Sequence, residues 1–510
     1  MSEKARLLET TPPDGVSRTQ NGSSHNGGHF SSAKNRNVKF VTQDDDDDDE
    51  NEVEVMRSCA LPMEKICYGL GHVYNDLCAA VWFSYTLFYF QIVLRMQSTT
   101  AGALIMIGQV ADSLATPSAG WAVDWISTPR VWHLTGTGLV ALGFTTMFSY
   151  APKPPNSWWT LLYYGFLVVF FQIGWAIVQI SHLSIITTIS KDNQHSANLT
   201  SIRYTASVCC NIFVYMITWA ILRNGSTMVT QLGPADFYKF KEIILIITCV
   251  GIVSSLIFYC GMSAAAAGAP PTHRTHRDRI VEEENNQTCD DGANNASGMR
   301  TRSFLRSIVT YQVSIMYMSS RLYTILNLIY MPLYLEERLQ TNDNDNSIRG
   351  AIASVPLMCF LASFATSLAI NNRPNFVTDK VIFAIGSCIS LIGCMWLALG
   401  ISNGNMSNVY LMAAIIGAGS SGTMITSLCL TATFVNTNNF KGGSVYSTVT
   451  FTDKLVSGAV VLLIQHMECE DRTLCPNFYQ NVLAYASGTC IILGLFALTT
   501  LQCHNPRMKH

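Results

Sequence analysis

Residues 65–94 read KICYGLGHVYNDLCAAVWFSYTLFYFQIVL. The run exceeds the roughly 20 apolar residues that a helix needs to cross a hydrocarbon core. It nevertheless carries His72, Asn75 and Asp76 within its first half. His72 and Asp76 are four apart, so a helix stacks them on one face. An ionisable side chain at mid-membrane costs about 2.5–3.5 kcal/mol on insertion scales. Such groups face a cavity or a partner rather than lipid.

Apolar runs of this length recur along the chain. They fall near 66–94, 101–125, 131–150, 159–190, 203–223 and 242–262, then near 309–335, 348–370, 380–401, 407–436, 445–467 and 479–502. Open strands would leave backbone groups unpaired in lipid, so every span must be helical. The expected fold class is an all-α membrane protein with 12 transmembrane helices in two six-helix bundles. Residues 65–262 form the first bundle and 309–503 the second, with a central loop at 263–308 and a short tail at 504–510. The segment 1–64 is rich in Ser, Asn and Gly, holds an acidic run from Asp44 to Glu50, and lacks an apolar signal-peptide core. It reads as a disordered tail.

Composition agrees. Of 510 residues, 49% are hydrophobic and 13% charged, against about 25% charged in soluble chains, which argues against a soluble enzyme. The formal net charge of −2 gives nucleic acid binding no support. Most of the 16 cysteines sit in apolar runs, where they act as small hydrophobes. No CxxC occurs, and the one HxxxH pair, His25 and His29, lies in the tail, so neither metal nor cofactor is expected. No GxSxG or HExxH motif supports an enzyme. The run Gly417 to Gly422 reads as close helix packing.

An even number of crossings puts both ends on one side. That side carries Arg57, Lys65, Arg130, Lys191, the basic central loop, Lys380 and Lys441, which marks it as cytosolic. Cys469 and Cys475 share the last loop of the other side, where an oxidising compartment would let them pair; two free thiols is the alternative. Asn224 begins a glycosylation sequon on that same side.

Polar residues fall at helical spacing on several spans. Gln109, Asp112 and Thr116 share a face just before Pro117. Gln172, Trp175, Gln179 and His182 form a stripe, as do Arg203, Ser207 and Asn211. Arg321 and Thr324 lie on the seventh span, and Tyr446, Thr450, Asp453, Lys454 and Ser457 on the eleventh. One reading is a water-filled cavity between two bundles. The other is a set of buried ion pairs that fixes packing. Stripes on several helices favour the cavity. His133 and His466, near span ends, read as interfacial, and Asp124 as a loop anchor.

Twelve spans split six and six resemble the major facilitator superfamily. The string from Lys65 to Gly71 with Tyr74, Asn75 and Asp76 is similar to the first helix of its glycoside–pentoside–hexuronide:cation symporter branch. Gln109-Val-Ala-Asp112, then Thr116-Pro and Gly120-Trp, resembles that branch's second helix; Arg203 in SIRYTAS and Lys454 in YSTVTFTDK match its fifth and eleventh. A narrower resemblance is to an animal branch associated with cysteine import into melanosomes and lysosomes and with pigmentation. It is carried by GHVYNDLCAAVWFSYTLFYF, LIMIGQVADSLATP, LLYYGFLVVFFQIGWAIVQISHLSII, YQVSIMYMSSRL and FTDKLVSGAVVLLIQ.

These resemblances imply an alternating-access carrier with its site at the midplane between the halves. Asp76, Arg203 and Lys454, with His72, Trp175, Gln179 and His182, would contact substrate. Asp112, Thr116 and Asp76 would serve a coupling proton or sodium ion. Where the symporter branch has its second cation-site carboxylate, this chain has Thr116, and the fourth span reads Gln179 to His182 without an acid. Both departures weigh against sodium and sugar. Glu3, Leu7 and Leu8 fit an acidic dileucine signal for a sorting adaptor, consistent with a lysosome-related organelle. The rivals are a sugar:cation symporter, a non-transporting scaffold or receptor, and a plasma-membrane location.

Overall fold

The computed structural model describes residues 63–126, 129–189, 193–223, 232–267, 308–341, 347–371, 374, 377–400, 406–438, 442–469 and 475–504. Glu3, Leu7, Leu8, His25, His29 and Asn224 lie outside the described residues. Twelve long helices fill the described segments, and no strand occurs among them. They are α1 (Met63–Val93), α2 (Ser98–Ile126), α3 (Pro129–Ser149), α4 (Trp158–Ile189), α5 (Asn193–Arg223) and α6 (Phe237–Ala267). The second half comprises α7 (Ile308–Thr341), α8 (Ser347–Asn371), α9 (Asp379–Ala398), α10 (Met406–Asn438) and α11 (Gly442–Met467). The last helix, α12, runs from Phe478 through a π turn at Val482–Ala486 into Ser487–His504.

Each helix covers one expected span. Several run longer than the apolar text, since a helix continues past the hydrocarbon wherever its polar ends meet water. Thus α5 starts at Asn193 rather than near 203, and α7 ends at Thr341 rather than near 335. Eight helices are long and apolar enough to cross a bilayer on their own. The other four are α2, α3, α7 and α11. Three of these carry the membrane charges Asp112, Arg321, Asp453 and Lys454.

Packing reveals a repeat that the sequence conceals. Helix α3 packs on α4, α2 on α4, and α1 on α5 and α6. Adding six to each number gives the other half: α9 on α10, α8 on α10, and α7 on α11 and α12. Between the halves, α1 meets α7, while α2–α11 and α5–α8 form two flanking seams that exchange under the same operation. Lipid gives helices no hydrophobic drive toward one another, so close van der Waals contact must hold them. At Gly417 and Gly419 α10 lies so near α8 and α9 that an added Cβ would sit 2.8 Å from the Cys359 carbonyl carbon and 2.7 Å from the Ser390 nitrogen. The packing role read for this glycine run matches that geometry.

Candidate functional site

Helix α1 is broken by a turn at Gly71 and His72 before it resumes at Val73. A break frees backbone carbonyls, which must find donors inside a membrane. Two histidines supply them. His182 of α4 donates through Nε2 to the Tyr68 carbonyl (2.9 Å), and His133 of α3 donates through Nε2 to the Gly71 carbonyl (3.0 Å). With its Nε2 committed, His133 accepts at Nδ1 from the Tyr259 hydroxyl (2.6 Å). The His182 ring stacks on Tyr68 with centroids 4.3 Å apart. His133 is fully buried. That corrects the interfacial reading: its place near a span end hid a job inside the bundle. His466, by contrast, is exposed.

The break also presents His72. Arg203 Nη2, on α5, lies 2.9 Å from His72 Nε2, and Asn75 Nδ2 lies 3.3 Å from the same atom. Arginine only donates, so Nε2 accepts and the neutral ring carries its proton on Nδ1. That nitrogen is 2.9 Å from Asp76 Oδ2. The i,i+4 spacing of His72 and Asp76 thus brings them together, and Arg203 completes a chain of cation, imidazole and carboxylate.

A second set links the two halves. Lys454 of α11 places Nζ 2.7 Å from Asp112 Oδ2 and 3.1 Å from Thr116 Oγ1, both on α2. Thr116 in turn donates to the Asp112 backbone carbonyl (2.8 Å). The helices approach closely enough because Gly458 abuts Gln109 and Gly102 abuts Gln465. One residue before Lys454, Asp453 turns to the other side of α11. Its Oδ2 is 3.5 Å from Arg321 Nε on α7, and Ser457 donates to its Oδ1. Helix α11 therefore serves two partners with two adjacent opposite charges.

At the end of the bundle opposite Met63 and His504, side chains of the two halves meet. Gln91 of α1 reaches the Tyr479 hydroxyl (2.5 Å), Ser98 Oγ (2.9 Å) and the Glu468 carboxylate, and Tyr479 donates to Glu468 Oε2 (2.6 Å). Glu337 of α7 accepts from the Tyr479 and Gln480 backbone nitrogens. Cys469 and Cys475 are disulfide-bonded in the adjoining loop, their Cα atoms 6.2 Å apart. Around this latch Tyr85, Tyr89, Phe90, Tyr330 and Tyr334 are fully buried.

Of the remaining expected site residues, Trp175 packs among rings, with Phe171 at 5.6 Å and Phe83 at 6.4 Å between centroids. Gln179 is half-buried on α4. The stripe on α4 thus divides between backbone support at His182 and aromatic packing at Trp175. The described residues hold no group of three or more His, Cys, Asp or Glu able to bind a metal.

A family model described as "MFS/sugar transport protein" matches residues 67–466. The chain belongs to that family. This major facilitator is 32% identical over 471 residues to human "Major facilitator superfamily domain-containing protein 12", covering 87% of this chain and 94% of the relative. The mouse counterpart is 31% identical over 467 residues, covering 88% and 94%. Among solved structures, "Inward open conformation of the xylose transporter XylE from E. coli" aligns with a TM-score of 0.60 at 11% identity over 87% of this chain and 96% of its own. "Crystal structure of D-xylose-proton symporter" gives 0.62 at 12% over 88% and 98%. These two share the fold. As a member of this family, the chain is a multi-pass membrane transporter.

Sequence reasoning singled out Asp76, Asp112, Arg203 and Lys454 but left Asp453–Arg321 and the Gln91–Glu468–Tyr479 latch outside the site. Asp453 and Lys454, neighbours of opposite sign in an apolar helix, point about 100° apart. That is a legible sign of two separate partners.

Proposed function

We propose that this transporter carries cysteine, or a closely related small thiol amino acid, into lysosomes or lysosome-related pigment organelles by alternating access. Its termini and central loop face the cytosol, as the lysine and arginine bias favours. The observation that carries the mechanism is the Lys454–Asp112 pair, which joins the halves inside the membrane. Two rocking halves must make and break such contacts. The cysteine assignment rests on the resemblance of the quoted strings, and relatives at 31–32% identity along most of the chain support it.

The family description and the xylose neighbours favour a second reading, a sugar:cation symporter. One observation weighs against it. The ammonium of Lys454 already occupies the position beside Asp112 where a coupling cation would sit, and Thr116 supplies no second negative charge. A sodium site gathers several oxygen ligands. We assign coupling to a proton, with His72 and Asp76 as its carriers and Arg203 holding their geometry.

Uptake of labelled cysteine and of a labelled disaccharide into isolated organelles, with and without a pH gradient, decides between the two. Cysteine accumulation supports the proposal; disaccharide uptake alone replaces it. Arg203→Gln removes a charge-assisted contact to His72, and cysteine uptake is expected to fall about tenfold or more at normal abundance and sorting. A variant that only misfolds would make Arg203 structural. Replacing Leu7 and Leu8 by Ala is expected to move the protein to the cell surface, seen by surface biotinylation; unchanged lysosomal staining retires the motif.

A further inference from the structure

A cavity of about 830 Å³ lies in the first half, where the end of α1 meets the α3–α4 loop and the starts of α4 and α6. It sits at the helix ends opposite Met63, and none of the charged residues of the candidate site lines it. Its volume falls within the range of about 300–1,000 Å³ for small-molecule sites. Among the described residues two cations line it, Arg95 and Lys153, and no acid does. Both are exposed, and neither is hydrogen-bonded or ion-paired within the described residues. The acid in the adjoining turn, Asp236, is engaged elsewhere. Its carboxylate accepts from the Gly233 nitrogen (3.1 Å) and pairs with Lys239 (3.0 Å). Residues 224–231, just before that turn in the chain, include no acid.

The two cations are held in place. Arg95 follows the last turn of α1 with φ at 57°, a left-handed conformation in which glycine is usual. Strained backbone of this kind persists where it serves a role. Arg95 Nη2 stands 3.5 Å from the place a Cβ on Gly233 would take, so the guanidinium lies against the turn before α6. Two residues on, the Gln97 backbone nitrogen donates to Asn156 Oδ1 (2.8 Å), which ties the Arg95 segment to the Lys153 loop. Helix α4 fixes that loop on both sides of Lys153, since Tyr164 donates to the Tyr150 carbonyl (3.2 Å) and Thr160 to the Pro154 carbonyl (2.8 Å). The cavity lining includes Tyr150, 61% exposed, and Tyr238, 75% exposed, and the exposed Trp158 and Trp159 begin α4 beside it. Exposed tyrosine and tryptophan collect at the headgroup level of a bilayer.

We propose that this cavity binds the headgroup of an anionic phospholipid from the leaflet opposite the chain termini. The phosphate is the group recognised: the guanidinium meets it through paired N–H donors and the ammonium as a point charge. The aromatic residues around the cavity select a lipid, rather than free phosphate, as its source. A headgroup seated there joins the end of α1, the α3–α4 loop and the turn before α6. It braces the first bundle and leaves the contacts between the halves untouched. The site does not depend on which solute is carried.

Native mass spectrometry of the purified full-length protein, titrated with dioleoyl phosphatidylglycerol or dioleoyl phosphatidylcholine, tests this. A basic residue beside a lipid anion is worth about fivefold in affinity, so wild type is expected to prefer phosphatidylglycerol by about 25-fold. Arg95→Gly with Lys153→Gln is expected to abolish that preference. Lys241→Gln removes a cation of the same face that does not line the cavity, and is expected to keep it. Glycine adopts the backbone conformation at position 95 freely, so the double variant should stay monodisperse. If it does not, Lys153→Gln alone, on an exposed loop, is expected to lose about fivefold. Inorganic phosphate is expected to leave bound phosphatidylglycerol in place; displacement would make the ligand a soluble anion and overturn the lipid assignment. Equal binding of the two lipids by wild type, or a preference that survives these substitutions, overturns the site.

Discussion

Lys454→Gln is expected to lower the stability of the folded protein by about 3–5 kcal/mol, the usual cost of leaving one member of a buried ion pair alone. Asp112 would keep only Thr116 as a polar neighbour from this set. Asp112→Asn should do similar damage. The double variant, with both charges removed, should recover most of the loss, because a neutral replacement leaves no stranded ion. Melting of the purified protein in lipid nanodiscs measures all four corners of the cycle, and the coupling between the two sites is the quantity sought. Transport in proteoliposomes should stay low in the double variant even when stability returns, since the contact that reports on the opposite half is gone. Single variants that melt with wild type would show that the pair contributes nothing to holding the halves together.

Gly417→Ala and Gly419→Ala form the second large expectation. The new methyl group meets backbone in both cases, Cys359 of α8 and Ser390 of α9. Backbone in the middle of a packed helix has nowhere to withdraw. Overpacking costs about 1–3 kcal/mol where side chains can adjust, and here α8 or α9 must move bodily away from α10. Both variants should give little monodisperse protein on size-exclusion chromatography. Gly138→Ala is the control, because a Cβ there meets nothing within 4 Å. Its yield should match wild type. Normal yield for Gly417→Ala would mean that the helices are less tightly engaged than their separation implies.

The twelve long helices were readable because a bilayer imposes one length and one composition on whatever crosses it. His72 and Asp76 were readable as a pair because four residues make one helical turn. The pairings of Lys454 with Asp112 and of Asp453 with Arg321 were not, since periodicity sorts the faces of one helix but does not say which neighbour each face meets. Trp175 shows the same limit. It keeps step with Gln172, Gln179 and His182, yet it packs against Phe83 and Phe171. His133 was misjudged because nothing local announces that a break in α1 needs a donor from α3. The sixfold offset between the halves survives in packing and not in letters, because any apolar side chain of suitable size can fill an equivalent place.

The distance along the chain between Asp112 and Lys454 has a consequence for biosynthesis. A ribosome delivers α2 to the membrane long before α11 exists, and α2 is among the helices not apolar enough to cross alone. Until residue 454 emerges, Asp112 waits beside lipid or insertion machinery without its counterion. A nascent chain truncated anywhere upstream of that lysine carries an unpaired intramembrane acid, a feature by which membrane-protein quality control would distinguish unfinished copies from complete ones.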